Sequence, residues 1–133
     1  MTSDITEIDV EAPIGHAKGV MAAHLAALNA RDTVALTATM HFPHYRLSSG
    51  RMKIWPGPEN YLADFYVRAG DTWHHTYWES LEVFAAVPNK VHLDVRFARC
   101  REDDSVIGRF RALWVIAELD GVWGAQLRSS FAP

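Results

Sequence analysis

The chain has one cysteine, Cys100, in 133 residues. A lone cysteine forms no internal disulfide and no thiolate metal cage, which points to a reducing, cytoplasmic setting. There is no long apolar run: the longest, Ala112–Ala117, has six residues, too short to cross a bilayer, so no membrane association is expected. The opening Met1-Thr2-Ser3-Asp4 has neither a basic segment nor an apolar core, so no secretory leader is read there. Lysine is scarce, with three against ten arginines. The net charge of −3 is mostly terminal. Asp4, Glu7, Asp9 and Glu11 lie in the first eleven residues with no base among them, and the other 122 residues carry 13 bases and 12 acids. A body this close to neutral carries no broad footprint for nucleic acid. The abundant residues are rings: five Trp, six Phe, four Tyr and seven His. That exceeds what a minimal core needs, and the surplus is expected to line a pocket, an interface or both.

Residues 1–12 read as an acidic tail and 13–133 as one domain. Ile14, Ala17, Met21, Leu25 and Leu28 recur at three- and four-residue spacing and predict a helix over 14–30. Asp32 reads as the N-cap of a short second helix containing Val34, Leu36 and Met40, which Pro43 is expected to stop. Residues 44–55 read as a hairpin turning at Ser49-Gly50. A third helix carries Tyr61, Leu62, Phe65 and Tyr66 and ends at Gly70. Four strands follow, 73–86, 90–102, 105–118 and 122–131, separated by Pro88-Asn89, Asp103-Asp104 and Asp120-Gly121. Helices first and strands in succession predict an α+β fold with an antiparallel meander. The 90–102 strand alternates Val91, Leu93, Val95 and Phe97 against His92, Asp94 and Arg96, a half-buried pattern. The 73–86 strand has rings on both faces: Trp73, His75 and Tyr77 against His74, Trp78 and Phe84. The 105–118 strand is apolar on both faces too. Three short helices cover one side only, so a homodimer through the outer sheet face is expected.

The paired N-terminal helices joined by Ala27-Leu28-Asn29-Ala30-Arg31-Asp32, the hairpin, the third helix with Phe65-Tyr66 and the final Asp120-Gly121-Val122-Trp123 turn resemble the nuclear transport factor 2-like superfamily. It includes ketosteroid isomerase, scytalone dehydratase, limonene epoxide hydrolase and SnoaL-like polyketide cyclases. The resemblance spans about residues 14–131. It implies a cystatin-like cone: three N-terminal helices packed in a strongly bent, mainly antiparallel sheet, with an apolar pocket at the open end. Many members are dimers. Fold alone assigns no reaction. At the position of the isomerase's tyrosine donor this sequence has His24, and at that of its general-base aspartate Ser48. The strand that should supply its second, acidic donor has no acid between Ser105 and Ala117. A steroid isomerase is therefore not expected. The Asp-Arg-Asp arrangement of the epoxide hydrolase is not evident, although Asp94 and Arg96 share a strand face. In place of the cyclases' last-strand carboxylate stand Gln126, Arg128 and Ser130, which the resemblance puts on the pocket face. Periodicity alone prefers Trp123, Ala125, Leu127 and Phe131 inside and those three in solvent.

Four residues are candidates for proton transfer or oxyanion stabilisation: His24, His44, His74 and Arg128. Imidazole titrates near neutral pH, and a guanidinium can stabilise a developing enolate. A buried Arg128 needs an anionic partner, either an internal acid such as Glu79 or Glu82 or a ligand. His41, Tyr45, Phe65, Tyr66, Trp78, Gln126 and Ser130 are candidate substrate contacts. Each has a structural alternative: His24 as a satisfied core imidazole, His74 on a sheet face packed against the third helix, the strand arginines Arg96, Arg109 and Arg111 as solvated or paired. His41 and His44, two residues apart around Phe42-Pro43, have no completing carboxylate or thiol nearby, so no metal site is expected. Cys100 beside Arg99 and Arg101 is either a small packed residue or a thiol of lowered pKa. Trp55, Trp114 and Trp123 are assigned to packing or a dimer face. The expected function is a cofactor-independent general acid–base enzyme of isomerase, dehydratase or cyclase type, acting on a small apolar carbonyl or polyketide-like compound. The alternative is a non-catalytic dimeric module that binds an apolar small molecule or mediates protein assembly.

Overall fold

The structure, a computed structural model, describes residues 9–133; most of the acidic tail lies outside the described residues. Helix α1 (Glu11–Ala30) starts earlier than the apolar periodicity suggests, taking in Glu11 and Ala12. Its buried stripe is Pro13, Ala17, Met21, His24, Ala27 and Leu28. Ala17, Met21 and Leu28 keep the inward phase of the pattern in the sequence, but between them His24 takes the buried position and Leu25 is only half-buried. Arg31 ends the helix in the left-handed region (φ 56°), and the Arg31 and Asp32 amides bond the carbonyls of Leu28 and Ala27, as in a Schellman closure. Asp32 then caps α2 (Thr33–Thr37) through a bond from the Ala35 amide. Helix α2 stops at Thr37, short of Met40; Pro43 does not end it but lies inside strand β1 (Met40–Ser48). The hairpin to β2 (Arg51–Trp55) turns at Ser49-Gly50, both with positive φ, the geometry a two-residue hairpin turn demands. Helix α3 (Tyr61–Ala69) and strands β3 (His75–Val87), β4 (Lys90–Cys100), β5 (Val106–Leu119) and β6 (Val122–Ser130) complete the fold.

The strands form one sheet in the order β2-β1-β6-β5-β4-β3. All pairings are antiparallel except β1 with β6, a parallel contact that brings the hairpin beside the last strand. The register slips in four of the five strand pairs, and such bulges bend and twist strands. The sheet curves around α1. One core cluster joins Ala17 and Met21 of α1 to Val91, Leu93, Val95, Trp114 and Ile116 of the sheet. A second joins Leu28, Leu36, Trp55, Tyr61, Phe65 and Trp73 around α3. A side chain fully withdrawn from water, such as Leu93 or Ile116, contributes about 1.5–3 kcal/mol.

Asn29 fixes the end of α1 to the sheet. Its amide nitrogen donates to the Thr76 carbonyl at 2.8 Å, and its carbonyl accepts from the Thr76 amide at 2.9 Å, imitating a neighbouring strand for β3. Arg31 reinforces the join by stacking on Trp73 at 4.7 Å and donating to the His74 carbonyl. Replacing Asn29 with alanine leaves two backbone groups unpaired. The expected loss is about 2 kcal/mol, read as a lower urea midpoint with an unchanged slope.

A candidate active site lined with arginine and histidine

Where the two core clusters meet, the molecule is hollow. The recess is open to solvent at its mouth. It leaves about 40 Å3 for the centre of a water molecule, room for roughly three waters. Its walls come from α1 (His24, Leu28), β1 (Arg46), α3 (Tyr61, Phe65, Arg68), β3 (Thr76, Trp78), β4 (Phe97, Arg99), β5 (Ala112, Trp114) and β6 (Arg128, Ser130).

The last strand reaches this wall by changing phase. Ile116 pairs with Ala125 while the adjacent Val115 pairs with Leu127, so Gln126 is an extra residue in a bulge. Before it Ala125 is buried; after it Arg128 and Ser130 are buried, while Leu127 and Phe131 are exposed. Each of the two orientations available from the sequence holds for half of the strand.

His44 is fully buried. Its Nδ1 lies 3.0 Å from the Ala125 carbonyl and therefore donates; its Nε2 lies 2.7 Å from Arg128 Nη1 and therefore accepts. His44 thus orients Arg128 and has no lone pair left for a substrate. Burial, then the charge of Arg128, lowers its pKa to about 2. His24 Nδ1 lies 2.8 Å from Thr39 Oγ1, whose hydroxyl proton goes to the Leu36 carbonyl. The hydroxyl must accept, so Nδ1 carries the hydrogen and Nε2 has a free lone pair, with no partner among the described residues. Burial, then Arg128, lowers the His24 pKa to about 3. Trp114 joins the two candidates: His24 meets it edge-on at 5.1 Å, and the Arg128 guanidinium sits 4.7 Å from its ring centre.

The structure brings His24, Arg128, Phe65, Trp78 and Ser130 to the cavity, with His44 directly behind Arg128. It does not bring the others. His74 is exposed, its Nδ1 3.0 Å from that of His75. His41 bonds the Ala117 carbonyl, and Gln126 donates to the Pro43 carbonyl. Tyr45 pairs in register with Ile54 on the outer face, and Tyr66 is exposed. Ser48 is buried but bonds the Ala132 carbonyl. Glu79 pairs with Arg109 rather than Arg128, and Asp94 with Arg111. Cys100 is buried and its thiol pKa is raised, first by desolvation, the reverse of activation by its arginine neighbours. Trp55 and Trp114 are interior, the former bonded to Asp64. Nine of the lining residues were not singled out from the sequence as contacts, the charged ones among them being Arg46, Arg68 and Arg99. Among the described residues there is no group of three or more metal-ligating side chains, and no described helix is long and apolar enough to cross a membrane.

Comparison with solved structures gives the fold. A protein of unknown function with a cystatin-like fold from Nostoc punctiforme PCC 73102 aligns over 96% of this chain and 95% of its own, with TM-score 0.76 and 14% identity. An NTF2-like protein of unknown function from Pseudomonas putida KT2440 aligns over 96% and 90%, with TM-score 0.72 and 18% identity. A ketosteroid isomerase-like protein from Erwinia carotovora atroseptica SCRI1043 aligns over 89% and 94%, with TM-score 0.65 and 18% identity. No family model matches the sequence, and no curated protein matches it. The chain has the nuclear transport factor 2-like, cystatin-like α+β fold.

Proposed function

We propose that the protein is a cofactor-independent enzyme of general acid–base type, working at the carbon beside a carbonyl group in an isomerisation, dehydration or cyclisation. The observation that carries this reading is one cavity holding both a neutral imidazole with a free Nε2 and a buried guanidinium fixed by a second imidazole. His24 Nε2 takes the proton as the C–H bond breaks. The electron pair forms the C=C bond, and the carbonyl oxygen, now an enolate, is held by Arg128. His24 then returns the proton elsewhere on the substrate. His44 is a positioning residue.

The test is deuterium exchange into the benzylic carbon of phenylacetone and of phenylpyruvate in D2O, followed by NMR. Catalysed exchange of at least one is expected, with a loss of at least about 100-fold in His24→Gln. Exchange no faster than in buffer for both, or undiminished in the variant, contradicts the reading. The burial of His24 favours the alternative, a binding module without chemistry: desolvation, then the charge of Arg128, pulls its pKa to about 3, which makes it a feeble base. Uncatalysed exchange of a bound probe would favour that role.

The protein is further expected to be a cytoplasmic homodimer with no nucleic-acid partner. Support for the dimer comes from the outer face of β2, β1 and β6, where Leu47, Met52, Ile54, Leu127 and Phe131 are exposed and the register sets Leu47 beside Met52. A contiguous apolar patch of this kind marks an interaction surface. Sedimentation at micromolar concentration should give a dimer for the wild type and a folded monomer for Leu47→Glu; a wild-type monomer sinks the idea.

A further inference from the structure

The cavity is cationic to a degree the proposed reaction does not require. Arg46, Arg68, Arg99 and Arg128 all line it, and no lining residue is an acid. Arg46, Arg99 and Arg128 are 7%, 5% and 5% exposed. Burial and mutual repulsion pull Arg46 down to about 9 and Arg68 and Arg99 to about 10, which leaves these three charged at neutral pH. Among the described residues Glu79 pairs with Arg109, Asp94 with Arg111 and Asp104 with His75, while Asp64 pairs with Lys53 and also acts on Arg68, partly offsetting its burial.

Aromatic rings hold three of the four guanidiniums. Arg99 lies 5.2 Å from the ring centre of Phe110 and 5.4 Å from that of Phe65; Arg68 lies 5.5 Å from those of Trp55 and Phe65; Arg128 lies over Trp114. Stacking partly replaces hydration of the flat faces and leaves the N–H edges for in-plane bonds. The protein supplies few acceptors: Arg46 bonds the Ala132 carbonyl and Ser130, Arg99 the main-chain oxygen of Pro133, Arg128 His44. The buried Nε atoms of Arg68 and Arg99 have no partner among the described residues. Unpaired buried charge is costly, and a fork of N–H donors without a side-chain carboxylate matches a carboxylate brought by a ligand.

We infer that the cavity takes a small organic acid, its carboxylate among Arg46, Arg68, Arg99 and Arg128 and its apolar body against Phe65 and Trp78. This deepens the acid–base reading, since it names the substrate class of the same cavity, but the binding it requires does not depend on proton transfer. The two are also coupled physically. A bound carboxylate offsets the positive potential that helps hold His24 unprotonated, so the substrate itself makes the base more competent.

The experiment is calorimetric titration of the intact protein at pH 7 with phenylpyruvate and with phenylacetone, which has a methyl group in place of the carboxylate. Phenylpyruvate is expected to bind at least about tenfold more tightly. Arg68→Met and Arg99→Met should each weaken it at least about tenfold while changing phenylacetone by less than about twofold; each lost charge-assisted bond accounts for a change of this size. Arg99→Lys, which keeps the charge, should retain part of the preference and guards against a misfolded methionine variant. Equal affinity for the two probes, or a preference untouched by the substitutions, overturns the inference. Tight phenylpyruvate binding without deuterium exchange upholds it and removes the proton-transfer reading instead.

Discussion

Arg99→Met is expected to raise the melting temperature of the unliganded protein while weakening carboxylate binding. Arg99 is 5% exposed, has an Nε with no partner among the described residues, and is surrounded by like charges. The methionine has similar length, and its thioether packs well against phenyl rings, here those of Phe65, Phe97 and Phe110. The substitution gives up the bond to Pro133, about 1.5 kcal/mol for a charged donor. Against this, removing buried ionic groups in favour of apolar ones gains about 1–4 kcal/mol in comparable cases. A net gain of about 1–2 kcal/mol raises the midpoint by roughly 5 °C in a domain of this size. Ligand reverses the order. Phenylpyruvate at 100 times its dissociation constant stabilises the wild type by about 2.7 kcal/mol, and the same concentration should do far less for the variant. Scanning calorimetry with and without phenylpyruvate reads both. A variant less stable than wild type in the absence of ligand would mean that Arg99 serves the fold and not a ligand.

Stability should fall steeply in acid, beginning near pH 6.5. His24 and His44 have folded-state pKa values of about 3 and about 2 against an ordinary 6.5. Between those limits the unfolded chain takes up protons that the folded chain refuses. The contribution of the neutral imidazoles is thus complete above pH 6.5 and is lost as pH drops below it. Well below 6.5 each histidine contributes about 1.4 kcal/mol per pH unit, or about 2.7 for the pair. That slope consumes a typical domain stability of 5–15 kcal/mol within a few pH units. Urea unfolding at pH 7, 6, 5 and 4 measures it, and His24→Gln should roughly halve the slope. A stability flat from pH 7 to pH 4 would show that the two imidazoles are not held neutral.

The fold was legible because its signals are local. The positive-φ turns at Ser49-Gly50 and Asp120-Gly121, the Asp32 cap and the clean alternation of Val91, Leu93, Val95 and Phe97 all lie within a few residues of the elements they define. The candidate cavity was legible in part: the resemblance pointed to His24, Arg128 and Ser130, and Phe65 and Trp78 were also read as contacts. The bulge at Gln126 reverses the facing of β6 and leaves no mark in a two-residue alternation. Arg46 sits in a strand where the residues beside it, Tyr45 and Leu47, are the apolar ones, so ordinary reasoning turns it outward. Arg99 shares the inward phase of Val95 and Phe97, but a strand arginine is usually solvated or paired, and that expectation hid it. The parallel contact of β1 with β6, which sets Arg46 beside Arg128, joins residues 82 positions apart and has no local signal at all. The aromatic surplus is partly explained by the same arrangement, since several rings support guanidiniums as well as fill the core.

The central claim, a neutral His24 facing a cavity built for an organic anion, is tested most directly by the nitrogen-15 resonances of the His24 ring. In the free protein at pH 6 the account predicts a neutral imidazole, with hydrogen on Nδ1 and none on Nε2. Saturation with phenylpyruvate, but not with phenylacetone, should move Nε2 toward its protonated position. A protonated His24 in the free protein at pH 6, or a ring that responds to neither probe, would contradict it.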